Sequence, residues 1–434
     1  MESKLKILTV TSNALRNNVG IGNTFINFFG GMSGVELANV YLGYGRPDDA
    51  IEVRSFQITD KGLVRHMLCR KRPSGAETAP EEAVLMNKRE QKGFDAARKI
   101  RLRAFFWARE LIWLVGRPFS KELKSFVDDF APDVIFAQIN DTAYQSRLIK
   151  RIAEYSGRPV CVFLGDDIYT LRRREFSPLF WIDRLMKRPV HRGLINKSSR
   201  IFVMTDKCKE EFDRVFGRDC VVLAKGLDFS GEPPVYRVRN GKPIEFVYTG
   251  NLFDGRWQTL SKLAEALNAL SSEGRQTRLT VYSGTPMSES MKKAFSLPCV
   301  RFMGEVPSSA VPGIQREADV LVHAESSDKR KSGAVRLSFS TKLVDYMHAA
   351  RCIFAIGSKE LASIDHLARY DAAVIAEGEK DIYEKAKLIA DSPELIEEYA
   401  QKAWRCGKAA HQREEVQRLL FEELESASRG GGIR

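Results

Sequence analysis

Short apolar segments alternate with helical segments along most of this sequence, and the alternation occurs twice. The first half contains the apolar runs KILTVTS (6–12), PDVIFAQI (132–139), RPVCVFLG (158–165) and RIFVMTD (200–206). The second half contains IEFVYTG (244–250), RLTVYSG (278–284), ADVLVHAE (318–325) and CIFAIG (352–357). Strand-length apolar runs separated by helices predict parallel sheets that are covered on both faces. The predicted fold class is therefore α/β.

The chain divides at SGEPPVYRVRNG (230–241), a segment rich in proline, glycine and charge. A chain of 434 residues is also too long for one hydrophobic core, so two domains are expected. We predict a first domain over 1–229, a linker over 230–241 and a second domain over 242–400. A further helical stretch ends near residue 427.

Positive charge is concentrated in the first half. Residues 1–230 contain 39 Lys and Arg against 28 Asp and Glu, whereas residues 231–434 contain 29 against 28. This excess predicts an anionic partner for the first domain. Nucleic acid is disfavoured, because no recognition motif is present and acidic residues interrupt the basic runs. An anionic membrane surface is favoured instead.

The segment AARKIRLRAFFWARELIW (96–113) is the candidate for membrane contact. Its basic residues include Arg98, Lys99, Arg101 and Arg103, and its aromatic residues include Phe105, Trp107 and Trp113. A basic amphipathic helix with aromatic side chains can lie among lipid headgroups. A core helix with a solvated basic face is the alternative interpretation.

No targeting or membrane-spanning segment is predicted, since no run approaches the roughly 18 apolar residues that a span needs. The seven cysteines include no CxxC and the six histidines no HxxxH. The cysteine pattern favours reduced, buried thiols, and the two patterns together disfavour a metal site. We expect a cytoplasmic protein, peripheral to the inner face of the membrane.

VYTGNLFDGRWQTLSKL (247–263) predicts a strand, a glycine turn and a helix that begins near a basic residue. Gly250 and Asn251 form the turn, and Arg256 stands at the helix start. A glycine turn lets a diphosphate approach the backbone, and a helix N-terminus favours an anion. A diphosphate site is one interpretation, and an ordinary tight turn is the other.

SFSTKLVDYM (338–347) predicts the capped start of an amphipathic helix. Ser340 and Thr341 are good caps, and free amides there can hold phosphate. Lys342 is placed to pair with that phosphate, and Asp345 can accept hydrogen bonds from ribose hydroxyls. The alternative is a well-capped core helix that exposes Lys342 and Asp345.

These two motifs, with FMGEVP (302–307) and ADVLVHAES (318–326) between them, resemble the donor domain of family-four glycosyltransferases. KGLDF (225–229) resembles the segment that closes the first domain of these enzymes. The likeness is nearest to bacterial enzymes of capsule, O-antigen or exopolysaccharide assembly. It implies the GT-B fold, in which two Rossmann-like domains face a central cleft and a last helix, here about 401–427, packs back on the first domain.

The resemblance implies a UDP- or GDP-sugar donor, bound mainly by the second domain without metal or other cofactor. Arg256 and Lys342 would stabilise charge on the departing diphosphate. Gly20 and Gly22, in the glycine-rich loop after the first strand, would meet the donor phosphates from the other side of the cleft.

Asp166 stands where many members of the family carry a histidine near the donor sugar. One interpretation makes it a contact to sugar hydroxyls or a base for the acceptor. Another makes the pair Asp166 and Asp167 a helix cap. A metal-binding pair is disfavoured, because this fold type seldom needs metal.

The sequence departs from the family pattern at several positions. The arginine that usually follows the first glycine is Asn251. The second of two glutamates eight residues apart is Asp345, and the first position is Leu337, which cannot bind a sugar hydroxyl. Glu325 and Asp328 are the remaining candidates for the first acidic contact.

The predicted function is transfer of a sugar from a nucleotide donor to a lipid-linked or other saccharide acceptor, with retention of anomeric configuration implied by the resemblance. A nucleotide-sugar epimerase on the same fold is one alternative. A non-catalytic binding partner in a polysaccharide assembly complex is the other, and the departures from the family pattern are its support.

Overall fold

The computed structural model describes residues 4–16, 20–85, 103–173, 175–236 and 242–430. Its strands are β1 (Leu5–Thr11), β2 (Val35–Tyr41), β3 (Arg54–Ile58), β4 (Gly75–Glu77), β5 (Val134–Gln138), β6 (Val160–Leu164), β7 (Arg200–Val203), β8 (Val221–Val222), β9 (Ile244–Thr249), β10 (Thr277–Tyr282), β11 (Val300–Gly304), β12 (Val320–Ala324), β13 (Cys352–Ile356) and β14 (Val374–Ala376). Its helices are α1 (Gly20–Phe29), α2 (Asp60–Leu68), α3 (Arg103–Val115), α4 (Lys121–Phe130), α5 (Ala143–Ser156), α6 (Pro178–Lys197), α7 (Asp206–Phe216), α8 (Arg256–Ser272), α9 (Glu289–Ala294), α10 (Val311–Glu317), α11 (Lys329–Ala334), α12 (Lys342–His348), α13 (Ala362–Arg369), α14 (Glu379–Asp391), α15 (Glu394–Ala410) and α16 (Arg413–Arg429). None of the helices in these ranges is long and apolar enough to cross a membrane.

The strands form two sheets with helices on both faces. The first has the order β4-β3-β2-β1-β5-β6-β7-β8, and the second has the order β11-β10-β9-β12-β13-β14. Every pairing is parallel except that of β3 with β4. The strand order reverses between β1 and β5 and between β9 and β12, and ligands of such sheets bind beyond the carboxyl ends of the strands at that reversal. The predicted α/β class with two Rossmann-like sheets is confirmed.

Aromatic side chains fill the core between α1 and the first sheet. Phe25 lies 5.0 Å from Phe136 of β5, and Phe28 lies 5.5 Å from Phe163 of β6, measured between ring centroids. All four rings are completely buried. This packing fixes the start of α1, and with it the edge of the first sheet that faces the cleft.

The helical stretch predicted over about 401–427 is two helices, α15 and α16, so its prediction as one helix is wrong. The backbone of His411 and Arg413 pairs with Leu227, through N–H···O bonds of 2.9 Å in each direction. Groups engaged in that bridge cannot continue the helical hydrogen bonds, so the helix ends at Ala410 and a new one begins. α16 then packs on α1 and on β5 of the first sheet.

The segment that leads into α12 docks into the first domain. Leu337 is completely buried in the core of that domain, and its carbonyl accepts a hydrogen bond of 2.9 Å from the Cys208 thiol. Arg336 donates two hydrogen bonds to Glu211, of 2.6 and 2.5 Å, and lies 3.7 Å from Asp167. A buried ion pair holds its partners in one geometry, because separating them leaves a charge buried and unpaired. The two domains are therefore joined directly beside α12.

The seven cysteines are free thiols, and six of them are buried. Cys69, after α2, is exposed. The expectation of buried, unpaired thiols is confirmed for all but Cys69.

Candidate functional site

The reversal point of the second sheet lies at Gly250, directly after β9. Its φ of +148° is one that side chains rarely adopt, and a Cβ there would lie 2.3 Å from the Lys342 Nζ. The Lys342 ammonium donates a hydrogen bond of 2.9 Å to the carbonyl of Thr249 and lies 5.0 Å from the centroid of the Tyr248 ring. The positive φ favours glycine at this position, and a side chain there would also displace the Lys342 ammonium.

Arg256, the first residue of α8, joins three parts of this site. Its Nη1 donates a hydrogen bond of 3.0 Å to the Oδ1 of Asn251, and its Nη2 lies 3.5 Å from the Oε2 of Glu325. The glycine before it, Gly255, has a φ of +90°, and a Cβ there would collide with Ser326. The turn after β9, the start of α8 and the end of β12 therefore meet at one guanidinium.

Glu325 follows β12 and is almost completely buried. Burial opposes ionisation of this carboxyl, but the neighbouring His323, Arg256 and Lys342 hold its pKa below the usual value. His323 Nε2 lies 3.3 Å from its Oε1. The other acidic candidate, Asp328, instead caps α11 by accepting hydrogen bonds from the backbone of Arg330 and Lys331. Of the two, Glu325 is the carboxylate at the site.

The positive charge of Lys342 is only partly offset by its surroundings. Burial and the nearby Arg256 lower its pKa to about 8, while Glu325 and Asp345 act in the opposite direction. A partly buried lysine beside a guanidinium is arranged to receive further negative charge. This cluster, Gly250, Asn251, Arg256, Glu325 and Lys342, is called the cation site below.

The start of α12 differs from its predicted capping. Thr341 already has helical backbone angles and its side chain makes no capping bond, so its prediction as a cap is wrong. The amide of Ser340 donates to the hydroxyl of Ser363 at 2.9 Å and is not available to a ligand. Within the described residues, no protein acceptor is in hydrogen-bond range of the amides of Thr341 and Lys342.

Asp345 lies where the two domains meet. Its Oδ1 accepts a hydrogen bond of 2.6 Å from the Nζ of Lys225, which belongs to the segment that closes the first domain. Its side chain remains 36% exposed. A carboxylate with one oxygen engaged and the other accessible can still accept hydrogen bonds from hydroxyl groups.

Asp166 and Asp167, after β6, have different surroundings. Asp166 is exposed, and its Oδ1 accepts a hydrogen bond of 2.5 Å from Ser338 of the second domain. Asp167 accepts from the amide of Thr170 at 2.8 Å and from Arg184 at 3.0 Å. Asp167 accepts these hydrogen bonds within a turn and no helix begins there, so the helix-cap interpretation is wrong for this pair, while Asp166 faces the other domain.

Gly20 and Gly22 are the first and third residues of α1, so their prediction as residues of a loop is wrong. A Cβ on Gly22 would lie 2.7 Å from the carbonyl oxygen of Ala14, which explains that glycine by packing. Gly20 is exposed, with open space around its Cα. Contact of either glycine with phosphate stays a prediction.

A cavity of about 390 Å³ opens beyond the carboxyl ends of β12, β13 and β14. Glu325 and Gly357 belong to its inner wall, and Arg172 and Arg336 belong to its other side. A Cβ on Gly357, whose φ is +156°, would lie 3.3 Å from the Cβ of Glu325. The sequence did not identify Arg336 or Gly357 as residues of this cavity. For Gly357 the available signal was a glycine directly after a buried strand.

The predicted membrane residues fall into two groups. Arg98, Lys99 and Arg101 lie outside the described residues, and Arg103 is the first residue of α3. Trp107 donates a hydrogen bond of 2.9 Å from its indole to Asp183 of α6. Trp113 is 2% exposed and stacks on Tyr144, so its prediction as an inserting side chain is wrong.

Comparison with known proteins gives matches among solved structures only. No family model matches the sequence, and no curated protein matches it. HepE from Anabaena, solved with UDP, with UDP and glucose and with UDP-glucose, is 12% identical in the UDP complex, with a TM-score of 0.63, over 97% of this chain and 100% of that chain.

Two further structures match over nearly the whole chain. Sucrose-phosphate synthase from Thermosynechococcus elongatus is 11% identical, with a TM-score of 0.62, over 98% of this chain and 100% of that one. A glycosyltransferase from Rickettsia africae ESF-5 is 10% identical, with a TM-score of 0.59, over 98% of each chain. Identities this low establish the fold, and the predicted GT-B architecture is confirmed.

Proposed function

We propose that this chain is a glycosyltransferase that moves a hexosyl group from a nucleotide donor onto a saccharide acceptor. The observation that supports it most is the cation site, where a partly buried lysine of lowered pKa and an arginine lie at the reversal point of the second sheet. Nucleotides bind at such reversal points in sheets of this class. The shared fold with HepE, solved with UDP and UDP-glucose, supports the same assignment.

In this proposal the donor is a UDP- or GDP-sugar and its diphosphate lies against Lys342 and Arg256. The amides of Thr341 and Lys342 add donors, and Asp345 accepts from the ribose hydroxyls. Fixed cations and amides stabilise the charge that develops on the leaving diphosphate, so no metal or other cofactor is needed for this step. Gly20 approaches the phosphates from the first domain.

The sugar is proposed to occupy the cavity of about 390 Å³ beside Glu325. The Glu325 carboxylate would accept from sugar hydroxyls, and Asp166 would act from the opposite domain. Retention of configuration is proposed, with the departing diphosphate taking the acceptor proton. The protein then contributes mainly by positioning the reactants and stabilising charge.

The acceptor is proposed to be lipid-linked and to belong to cell-surface polysaccharide synthesis, as in capsule or O-antigen assembly. The concentration of positive charge in the first half supports an acceptor presented at an anionic membrane. The protein would then act as a peripheral protein on the cytoplasmic face.

A screen of nucleotide diphosphate sugars by thermal unfolding tests the donor assignment. A ligand present at 100 times its Kd should stabilise the native state by about 2.7 kcal/mol. We expect UDP- or GDP-sugars to raise Tm, and their nucleoside monophosphates to raise it much less. If no nucleotide sugar raises Tm at millimolar concentration, the proposed function is wrong. Tight binding without turnover on any lipid acceptor would identify a non-catalytic binding protein.

Asp345→Asn should raise the donor KM several-fold and change kcat little, because ribose contacts are similar in the ground and transition states. The measurement is the release of nucleotide diphosphate over a range of donor concentrations. Asp371→Asn, at an exposed position of the same domain, is the matched control. Lys225→Met distinguishes the alternative: if Asp345 acts only by holding Lys225, both variants give the same rise in KM.

A further inference from the structure

Helix α6 exposes a row of apolar residues and buries charged ones, beside the buried apolar residues Phe180, Leu194 and Ile195. Its outward side chains recur at helical spacing and are 46–65% exposed: Leu179, Ile182, Leu185 and Met186. Its inward side chains are at most 6% exposed: Asp183, Arg184, Lys187 and His191. This is the reverse of the pattern expected of a helix on the surface of a soluble domain.

The inward contacts fix α6 in this orientation. Lys187 donates to Asp183 at 2.9 Å, and Arg184 donates to Asp167 at 3.0 Å. The ring of His191 lies 2.9 Å from the hydroxyl of Ser146. Rotating the helix to cover its apolar side would break these buried contacts, each of which is costly to leave unpaired. The exposure of the apolar side is therefore built into the domain.

Helix α3 has the same inverted arrangement. Arg109 pairs with Asp60 at 3.0 Å, and Glu110 accepts hydrogen bonds from the amides of Ala143 and Tyr144 at the start of α5. Among the residues of α3 whose burial is described, those exposed are apolar, and three of them are 52–59% exposed: Leu111, Leu114 and Val115. The bond from Trp107 to Asp183 links α3 to α6. The apolar face is defined here as Leu111, Leu114, Val115, Leu179, Ile182, Leu185 and Met186.

The charge around the apolar face is positive. Helices α2, α3 and α6 contain three acidic residues, Asp60, Glu110 and Asp183, and each is engaged by a protein partner. The turn after α2 contributes three exposed cations, Arg70, Lys71 and Arg72. An apolar surface accompanied by cations and lacking free carboxylates on its helices complements an anionic lipid surface.

We propose that the apolar face inserts its side chains into the headgroup layer of an anionic bilayer and orients the cleft for an acceptor held there. The bilayer is favoured over a protein partner because the exposed side chains are spread along two helices, and because the carboxylate that lies beside Leu114 and Val115, Glu154, is paired with Lys197 at 3.0 Å. The proposal deepens the proposed function, since the docked protein would reach a lipid-linked acceptor. Six of the seven residues of the apolar face lie outside the aromatic-basic sequence motif, which contains Leu111.

The test is vesicle flotation of the full chain with neutral phosphatidylcholine vesicles and with vesicles that also contain phosphatidylglycerol. Wild type should float with the anionic vesicles and much less with the neutral ones. Leu185→Gln/Met186→Gln should lower the partition coefficient at least about tenfold, because each side chain loses its apolar transfer into lipid. Leu388→Gln/Met303→Gln, the same substitutions at exposed positions of the second domain, should not change it.

Salt separates the two contributions to binding. The Debye length falls from about 10 Å at 0.1 M to about 3 Å at 1 M salt, so the cationic part should be lost at high salt. The apolar part is not screened. Wild type should keep a measurable fraction bound at 1 M salt, and the Leu185→Gln/Met186→Gln variant should lose it.

Three results would overturn the docking proposal: no binding of wild type to anionic vesicles, equal loss in both paired variants, or a dimer in sedimentation that only Leu185→Gln/Met186→Gln dissociates. The last result would make the apolar face a contact between copies of the chain. Stabilisation of wild type by nucleotide sugar is measured in parallel. Stabilisation without vesicle binding contradicts only the docking proposal, and vesicle binding without stabilisation contradicts only the proposed function.

Discussion

Lys342→Ala should weaken binding and turnover of the nucleotide-sugar donor by about 10–150-fold, which corresponds to the loss of one charge-assisted hydrogen bond of about 1.5–3 kcal/mol. The ammonium lies beneath the turn at Gly250, where its bond to the Thr249 carbonyl and the nearby Tyr248 ring hold it in the absence of a ligand. A diphosphate at this turn would meet a cation that is already fixed and mostly desolvated. Such a cation contributes more than one in water.

The measurement is calorimetric titration with the nucleotide sugar found by the thermal screen, followed by turnover. Lys292→Ala removes an exposed lysine of the same domain, which pairs with Glu289 on the surface, and should leave both quantities unchanged. Far-ultraviolet circular dichroism confirms the fold of each variant. Equal donor affinity in Lys342→Ala and wild type would exclude the cation site as the diphosphate site.

The pH dependence of wild-type affinity supplies a second readout of the same residue. The pKa of Lys342 is lowered to about 8, so its charge is present below pH 8 and is lost as the pH rises through that value. Donor affinity should therefore fall above pH 8 in wild type. Lys342→Ala should show a flatter profile in that range.

The cation site could be predicted because each of its parts is local in sequence. A strand ending in Gly250, a helix beginning near Arg256 and another beginning near Lys342 follow from apolar runs and helix-start signals. The sequence did not predict that the ammonium of Lys342 would lie against Gly250. That depends on how β9 and α12 pack, and the two are separated by most of the second domain.

The orientation of α3 and α6 could not be predicted for a different reason. Helical periodicity identifies two faces, and the usual rule assigns the apolar one to the core. In α6 the polar face is inward because Arg184 pairs with Asp167, and in α3 because Arg109 pairs with Asp60. These partners lie on other elements, so the inverted orientation appears only in the folded chain. The break at His411 has the same origin, since its cause is Leu227 of the first domain.

Lowering the pH from 7.5 to 5 should reduce the free energy of unfolding by about 6 kcal/mol, through three buried histidines at about 2 kcal/mol each. Burial lowers the pKa of His191 and His366 to about 3 and that of His411 to about 4. The unfolded chain binds protons at these positions below about pH 6.5, whereas the native state does not until about pH 4. Stability therefore falls as the pH falls through this window. Carboxylates are mostly ionised in both states above pH 5 and contribute little there.

His366 and His411 resist protonation because of how their rings meet. The Nδ1 of His411 lies 2.9 Å from the Lys225 carbonyl, which only accepts, so this nitrogen carries the hydrogen. Its Nε2 is then bare and accepts from the Nε2 of His366 at 3.1 Å. A proton added to His411 would face the N–H of His366 across a buried contact.

Denaturant unfolding at pH 7.5, 6 and 5 measures the loss. His191→Gln should reduce the difference in unfolding free energy between pH 7.5 and pH 5 by about one third, because one group no longer takes up a proton on unfolding. This holds whatever the effect of the substitution on stability at pH 7.5. Gln401→Asn, at an exposed position without a titrating group, should leave the difference unchanged. If the free energy of unfolding of wild type falls by less than about 2 kcal/mol between pH 7.5 and 5, the buried rings are protonated in the native state. The assignment of His366 and His411 as a neutral, hydrogen-bonded pair at the domain junction would then be wrong.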